Sequence, residues 1–214
     1  MKRSLNEIEQ TSRKAARGSG LPWGVADEVG RAVSWLHMHG IDGVSGLVKL
    51  FAHLDHASPA ELSPIDMDSP WKSPGRVMSP VFAGLAACDT WNDADDYSVE
   101  TGPLAFPALV AGLLGQRLVD SDARVCLRWP GVELTVTSSG LGREGAVSEL
   151  NLQQCDALQV TGGRTQEISP ATLGDADVDS RAWAELEIMA HRTYVEATEE
   201  NRLSGAGAGL HDND

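Results

Sequence analysis

The apolar positions of residues 22–40, PWGVADEVGRAVSWLHMHG, recur with the spacing of a helix buried along one side. At about 100° per residue, Val25, Val29, Ala32, Val33 and Leu36 fall in one arc, with Ala26 at its edge. Pro22 suits the first turn, where a missing N–H costs nothing. Gly40 stands where a left-handed residue closes a helix. Upstream, Ser4 and Glu7 form a capping box ahead of Leu5, Ile8, Ala15 and Ala16, and Gly18 ends that stripe. Downstream, Asp42 can cap a third helix with Val44, Leu47, Val48, Phe51 and Leu54 on its apolar face. The first quarter of the chain therefore reads as three helices on short loops, packed on one another.

The pattern then changes. Between Ala57 and Pro80, five prolines punctuate a run rich in Ser and Asp, so regular helix is not expected there. So long a loop is either a cover over a site or an exposed excursion, and Trp71 and Met78 predict that part of it is tied down. Val81 to Cys88 is apolar and fits strand or helix, and Pro107 to Val119 reads as an apolar helix. Arg124–Trp129 and Val132–Thr137 alternate around Pro130-Gly131, which predicts a hairpin. Ser138 to Gly145 reads as a glycine-rich loop, and Asp156 to Thr161 as a third strand ending at Gly162-Gly163. A helix from about Asp179 to Glu199 turns Trp183, Leu186, Ala190 and Tyr194 inward, with Asp175, Asp177 and Asp179 at its positive end.

Helices at both ends with strands between them predict an α+β fold: an N-terminal three-helix layer packed on a mainly antiparallel sheet, with a long C-terminal helix. The strands do not alternate regularly with helices, which weighs against a doubly wound nucleotide fold. The expected organisation is one domain over 1–214. It comprises a helical layer at 1–56, a proline-rich loop at 57–80, a mixed region with the hairpin at 81–163, and a helix with a glycine-rich tail at 164–214.

Charge narrows the partners. Lys plus Arg is 17 and Asp plus Glu is 31, a net charge of −14, which repels polyanions and argues against nucleic acid and anionic membrane. The longest uncharged run, Thr101 to Gln116, is broken by prolines and glycines and falls short of a membrane span. Cys88, Cys126 and Cys155 are odd in number and form no C-x-x-C pair, against a disulfide framework or a cysteine-based zinc site. With a polar helix after Lys2 and Arg3 in place of an apolar signal core, the chain is expected to be cytoplasmic.

The blocks NEIEQTSRKAARGSGLPWGVADEVGRAVSWLHMHG and RTYVEATEENRLSGAGAGLHDND resemble a family of proteobacterial proteins catalogued only as a domain of unknown function. The first block is the more specific, with its Arg-Lys-Ala-Ala-Arg-Gly helix end, Pro-Trp-Gly and acidic helix. The resemblance implies no activity and assigns no residue a role.

Candidate chemistry is sparse. Glu28, Trp35 and His39 share one flank of the second helix, and a carboxylate, an indole and an imidazole on one ridge could line a pocket for a small polar ligand. The plainer alternative, Trp35 at the core edge with Glu28 and His39 solvated, stands ahead of it. Arg143, in the Gly140–Gly145 loop, could meet an anion in a backbone nest, although a tight turn explains those glycines. His53 and His56 have metal-ligand spacing but lack a third ligand, and favour the helix C-terminus in any case. Asp89 to Glu100 fails the EF-hand pattern at Tyr97 and reads as a solvated acidic loop. The glycines of the tail, Gly205 to Gly209, have no helix after them to hold a phosphate. No metal and no cofactor is assigned.

Six tryptophans, a long proline-rich segment and no catalytic motif favour a small binding or accessory protein, expected as a homodimer, holding a metabolite or a partner enzyme. An enzyme using Glu28, His39 and Asp89 for acid–base chemistry is the alternative, followed by a structural subunit of a larger complex.

Overall fold

A computed structural model describes residues 1–54, 58–91, 97–119, 121–145, 150–151, 153–164 and 177–193. The chain opens with α1 (Leu5–Gly18), α2 (Trp23–Met38) and α3 (Gly43–Leu54). Ser4 Oγ accepts from the Glu7 N–H while the Glu7 carboxylate accepts from the Ser4 N–H, the expected capping box. Pro22 precedes the first turn of α2 as its N-cap, one step earlier than expected, and Gly40 has φ +74°. The buried stripe of α2 is rotated slightly from the expected one: Ala26 is fully buried and Val25 only half-buried. Asp42 Oδ1 accepts from the Ser45 N–H at 3.0 Å, capping α3 as expected.

The proline-rich stretch departs from the expectation of no helix. A single turn, α4 (Pro59–Leu62), forms because Pro59 occupies the first helical position and Ser58 and Glu61 make a second capping box. Trp71 and Met78 anchor the stretch, as expected, and both are buried. The Trp71 N–H donates to the Glu100 carbonyl at 2.7 Å and its indole N–H to the Met67 carbonyl at 3.0 Å. The ambiguous apolar run is a helix, α5 (Pro80–Thr90), again started by a proline behind a serine N-cap. After β1 (Ser98–Glu100) and β2 (Leu104–Ala105) comes α6 (Ala108–Arg117), buried from Ala108 to Gly115. Such all-round burial marks a central element. It packs on α2, α5 and the sheet.

The predicted hairpin is present: β3 (Ala123–Trp129) pairs with β4 (Val132–Thr137) from Arg124 opposite Thr137 to Trp129 opposite Val132. The Ser138–Gly145 loop is corrected. Its second half is β5 (Gly140–Gly145), paired along β4, and its three glycines hid the alternation. Then come β6 (Gln154–Cys155) and β7 (Gln159–Arg164). The third strand thus starts later than expected and runs through Gly162-Gly163. The five-stranded sheet has the order β1-β7-β3-β4-β5, every pairing antiparallel, and β2 pairs with β6 apart from it. The last described helix is α7 (Ser180–His191), capped by Asp179 and seated on α1 and α3 through Trp183, Leu186 and Ala190. Tyr194 and the glycine-rich tail lie outside the described residues.

The result is α+β, with N-terminal helices packed on an antiparallel sheet. Buried apolar side chains form one connected set that reaches from Ile8 and Leu36 through Leu109 and Leu114 to Leu127 and Leu134. Glycines allow the closest helix crossings. A Cβ at Gly30 of α2 would stand 2.8 Å from the Glu9 carbonyl oxygen of α1, and one at Gly112 of α6 would stand 2.7 Å from the Ala32 carbonyl oxygen of α2. Among the described residues no helix is long and apolar enough to cross a membrane.

Candidate functional site

Three helices leave an open groove of about 550 Å³ between them. From α2 come Glu28, Arg31 and Trp35, one ridge at i, i+3 and i+7. The C-terminal half of α5 supplies Leu85, Cys88 and Asp89, and α6 supplies Leu113, Gln116 and Arg117. Apolar groups make much of the surface, while carboxylates and guanidiniums from separate helices stand around it.

The polar groups are connected. Arg31 Nη2 donates to Glu28 Oε1, and Arg31 Nε donates to Gln116 Oε1 at 3.0 Å. The Gln116 amide donates in turn to the Gly112 carbonyl at 3.2 Å and the Glu28 carbonyl at 3.4 Å. A glutamine thus bridges α6 to α2 and orients the Arg31–Glu28 pair. Gly115 lies directly against the Trp35 indole, where any Cβ would overlap the ring. The indole also meets the His39 imidazole, with ring centroids 4.0 Å apart.

The sequence candidates are therefore divided. Glu28 and Trp35 line the groove together, and Asp89 joins them from α5. His39 does not: the residue is only 9 % exposed, and Nδ1 is engaged by the Trp35 carbonyl at 2.8 Å. Burial pushes this imidazole below its ordinary range, against the opposing effect of that hydrogen bond. The plainer alternative for His39, full solvation, is corrected as well. Arg143 sits elsewhere, exposed on β5 opposite Leu134, so it occupies an edge strand and no glycine nest. His56 and residues 92–96 of the acidic run lie outside the described residues. No cluster of three metal-ligating side chains occurs among the described ones.

Cys88 is the potential nucleophile at the groove. Burial pushes its thiol up to about 12, and the charges of Asp89 and Glu28 add to that effect while Arg117 opposes it. A thiol so disposed is protonated near neutrality and unreactive.

Sequence reasoning passed over several of these groups. Arg31 was within reach, since it follows Glu28 by three residues on the same ridge. Gln116 and Arg117 carried no signal, because only the packing of α6 on α2 brings them near. His37 was also missed. It is buried, and its Nε2 accepts the Val44 N–H at 3.1 Å, so it caps α3 beside Asp42.

Residues 3–79 match a family described as a protein of unknown function. This segment matches DUF3726. The DUF3726 match spans α1 to α4 and stops at the residue before α5, so it contains Glu28, Arg31 and Trp35 but not the α5 and α6 walls of the groove. Among curated proteins, none matches the chain.

Proposed function

We propose that the protein binds a small polar metabolite, one carrying both signs of charge on an apolar body, in the groove between α2, α5 and α6. The observation that supports this reading is the mixed lining: Glu28 and Asp89 face the same space as Arg31 and Arg117, beside the Trp35 indole, Leu85 and Leu113. With Glu28 and Arg31 paired to each other, a ligand with one charge would answer only one of Asp89 and Arg117, whereas a zwitterion answers both. Small-molecule sites commonly combine a mainly apolar wall with a few placed polar groups.

Binding is favoured over acid–base catalysis by two placements. Glu28 is committed to Arg31, and the imidazole of His39 is packed behind Trp35. Groups for proton transfer need to reach the reacting atoms.

The test is titration calorimetry with a panel of zwitterionic amino acids and betaines, read in parallel by Trp fluorescence. Saturable binding is expected, and Arg117→Ala is expected to weaken it by about tenfold or more, the usual worth of a charged hydrogen bond. Heat signals and thermal stability that stay flat across the whole panel would sink the proposal.

A further inference from the structure

A pocket of about 130 Å³, open to solvent, lies where α3 meets the corner between β2 and α6. It is built from residues other than those of the groove and is independent of the reading above. From α3 come Gly46, Lys49 and Leu50, which share a face at i, i+3 and i+4. Phe106, between β2 and α6, supplies apolar lining together with Leu50, and both are buried. Asn151, Gln153 and Gln154, leading into β6, supply three exposed side-chain amides.

Two observations set this pocket apart from an ordinary surface hollow. The first is the main chain of Phe106, which holds φ at +35°, the one non-glycine residue with positive φ among those described. That conformation is unfavourable for a residue with a Cβ, and residues held in it cluster at ligand sites. Main-chain hydrogen bonds fix it. The Ala105 N–H donates to the Met78 carbonyl at 3.1 Å, the Phe106 N–H to the Gln153 carbonyl at 2.8 Å, and the Leu109 N–H to the Phe106 carbonyl at 3.1 Å. The ring is laid on α3 at Gly46, where any Cβ would overlap it. The second observation is the polar lining. Lys49 is its one charged residue, and neither the ammonium nor the three side-chain amides has a partner among the described residues. Acids outnumber Lys plus Arg by 31 to 17 in this chain, and Arg3, Arg13, Arg31, Arg128 and Arg181 each hold a carboxylate. Lys49 holds none among the described residues.

We infer that this pocket binds a small organic carboxylate, its carboxylate on the Lys49 ammonium, its apolar body on Phe106 and Leu50, and its polar substituents on the amides. The class follows from the groups. One unpaired ammonium calls for one negative charge. An inorganic anion would leave Phe106 and Leu50 uncovered, and a bare hydrocarbon would leave the ammonium unanswered. Side-chain amides both donate and accept, so they take a hydroxyl or a carbonyl on the same ligand.

The experiment compares benzoate, its neutral counterpart benzamide, and acetate on the full chain, by two-dimensional NMR titration read at residues 46, 49, 50, 106, 151, 153 and 154. Benzoate should saturate with a Kd on the order of 1 mM, as the efficiency of small ligands allows. Benzamide should bind about fivefold more weakly, the upper worth of an exposed ion pair. Acetate, which lacks the apolar body, should bind about tenfold more weakly or worse. Lys49→Met should bring benzoate down to the affinity of benzamide, and Lys49→Arg should restore the preference. Lys49 is exposed, so both variants should melt with the wild type. Failure of benzoate to saturate overturns the inference, as do equal affinities for benzoate and benzamide, or undiminished benzoate binding to Lys49→Met. Shifts confined to Arg31, Trp35 and Arg117 also overturn it, and they leave the reading of the α2/α5/α6 groove standing.

Discussion

His37 offers the sharpest measurement of how the helical layer is joined. It lies at the end of α2, 2 % exposed, and accepts the Val44 N–H that opens α3. Its proton must then sit on Nδ1, because Nε2 is the acceptor. Replacing it by Phe keeps an aromatic ring in place and removes the Nε2 acceptor together with the Nδ1–H. The Val44 N–H would be left buried without a partner, at a cost of about 1–3 kcal/mol. For a chain of this size about 2 kcal/mol lowers Tm by roughly 4–8 °C. The pH dependence supplies a second signature. Burial holds the folded imidazole below its ordinary range, with Asp42, 3.6 Å away, opposing incompletely. The unfolded chain therefore takes up a proton first, as pH falls through about 6.5. Stability from this group is fully present above that pH and declines below it until the folded imidazole also titrates. Calorimetric melts of wild type and H37F from pH 7.5 down to pH 5 check both points. The wild type should lose Tm over this window, and H37F should start lower and lose less, with the buried His39 contributing the remainder in the same direction. A variant melting within about 1 °C of wild type at pH 7.5 would refute the reasoning, since even the low end of the cost exceeds that.

Two further outcomes follow from the packing and the thiols. Gly18→Ala would drive a Cβ into the Met189 carbonyl oxygen, forcing α1 and α7 apart, and should cost about 2 kcal/mol as overpacking. Gly24→Ala meets nothing within 4 Å in the first turn of α2, so the same change there should be neutral or raise Tm, by up to about 1 kcal/mol of helix propensity. Paired thermal melts decide, and equal effects at the two sites would contradict the crossing geometry. Burial holds the thiols of Cys88 and Cys155 at about 12 and about 11, so both should alkylate with iodoacetamide far more slowly in the native protein at pH 8 than in denaturant. Peptide mapping of the labelled protein would expose the error if either reacts at the unfolded rate.

Much of the local architecture was legible because its causes are local. The Ser4–Glu7 box, the Asp42 cap and the Pro130-Gly131 turn each act within a few residues, and all three are in place. Strand β5 was not legible, because glycine at 140, 142 and 145 leaves no side-chain alternation; its pairing comes from β4 alongside it. The turn α4 was masked by the proline that starts it. For the site, Glu28 and Trp35 share a ridge that any helical wheel displays, whereas the opposite wall depends on how α5 and α6 pack. His39 shares the wheel position and still leaves the groove, since its ring closes back on the carbonyl of Trp35 one turn earlier. Tryptophan content also misled: Trp71, Trp91, Trp129 and Trp183 are buried in the core, and only Trp35 edges the groove.

The glycine contacts of α6 have a consequence for how such a chain can diverge. Gly112 fixes its distance from the main chain of α2, and Gly115 fixes the seat of the Trp35 ring. Both lie within five residues of Gln116 and Arg117, on the same short rod. Any side chain gained at either glycine would separate the two walls and rotate the indole between them in one step. Aperture and lining are thus mechanically ganged: selection can retune Arg31 or Arg117 one at a time, but it cannot widen the opening without re-aiming everything around it.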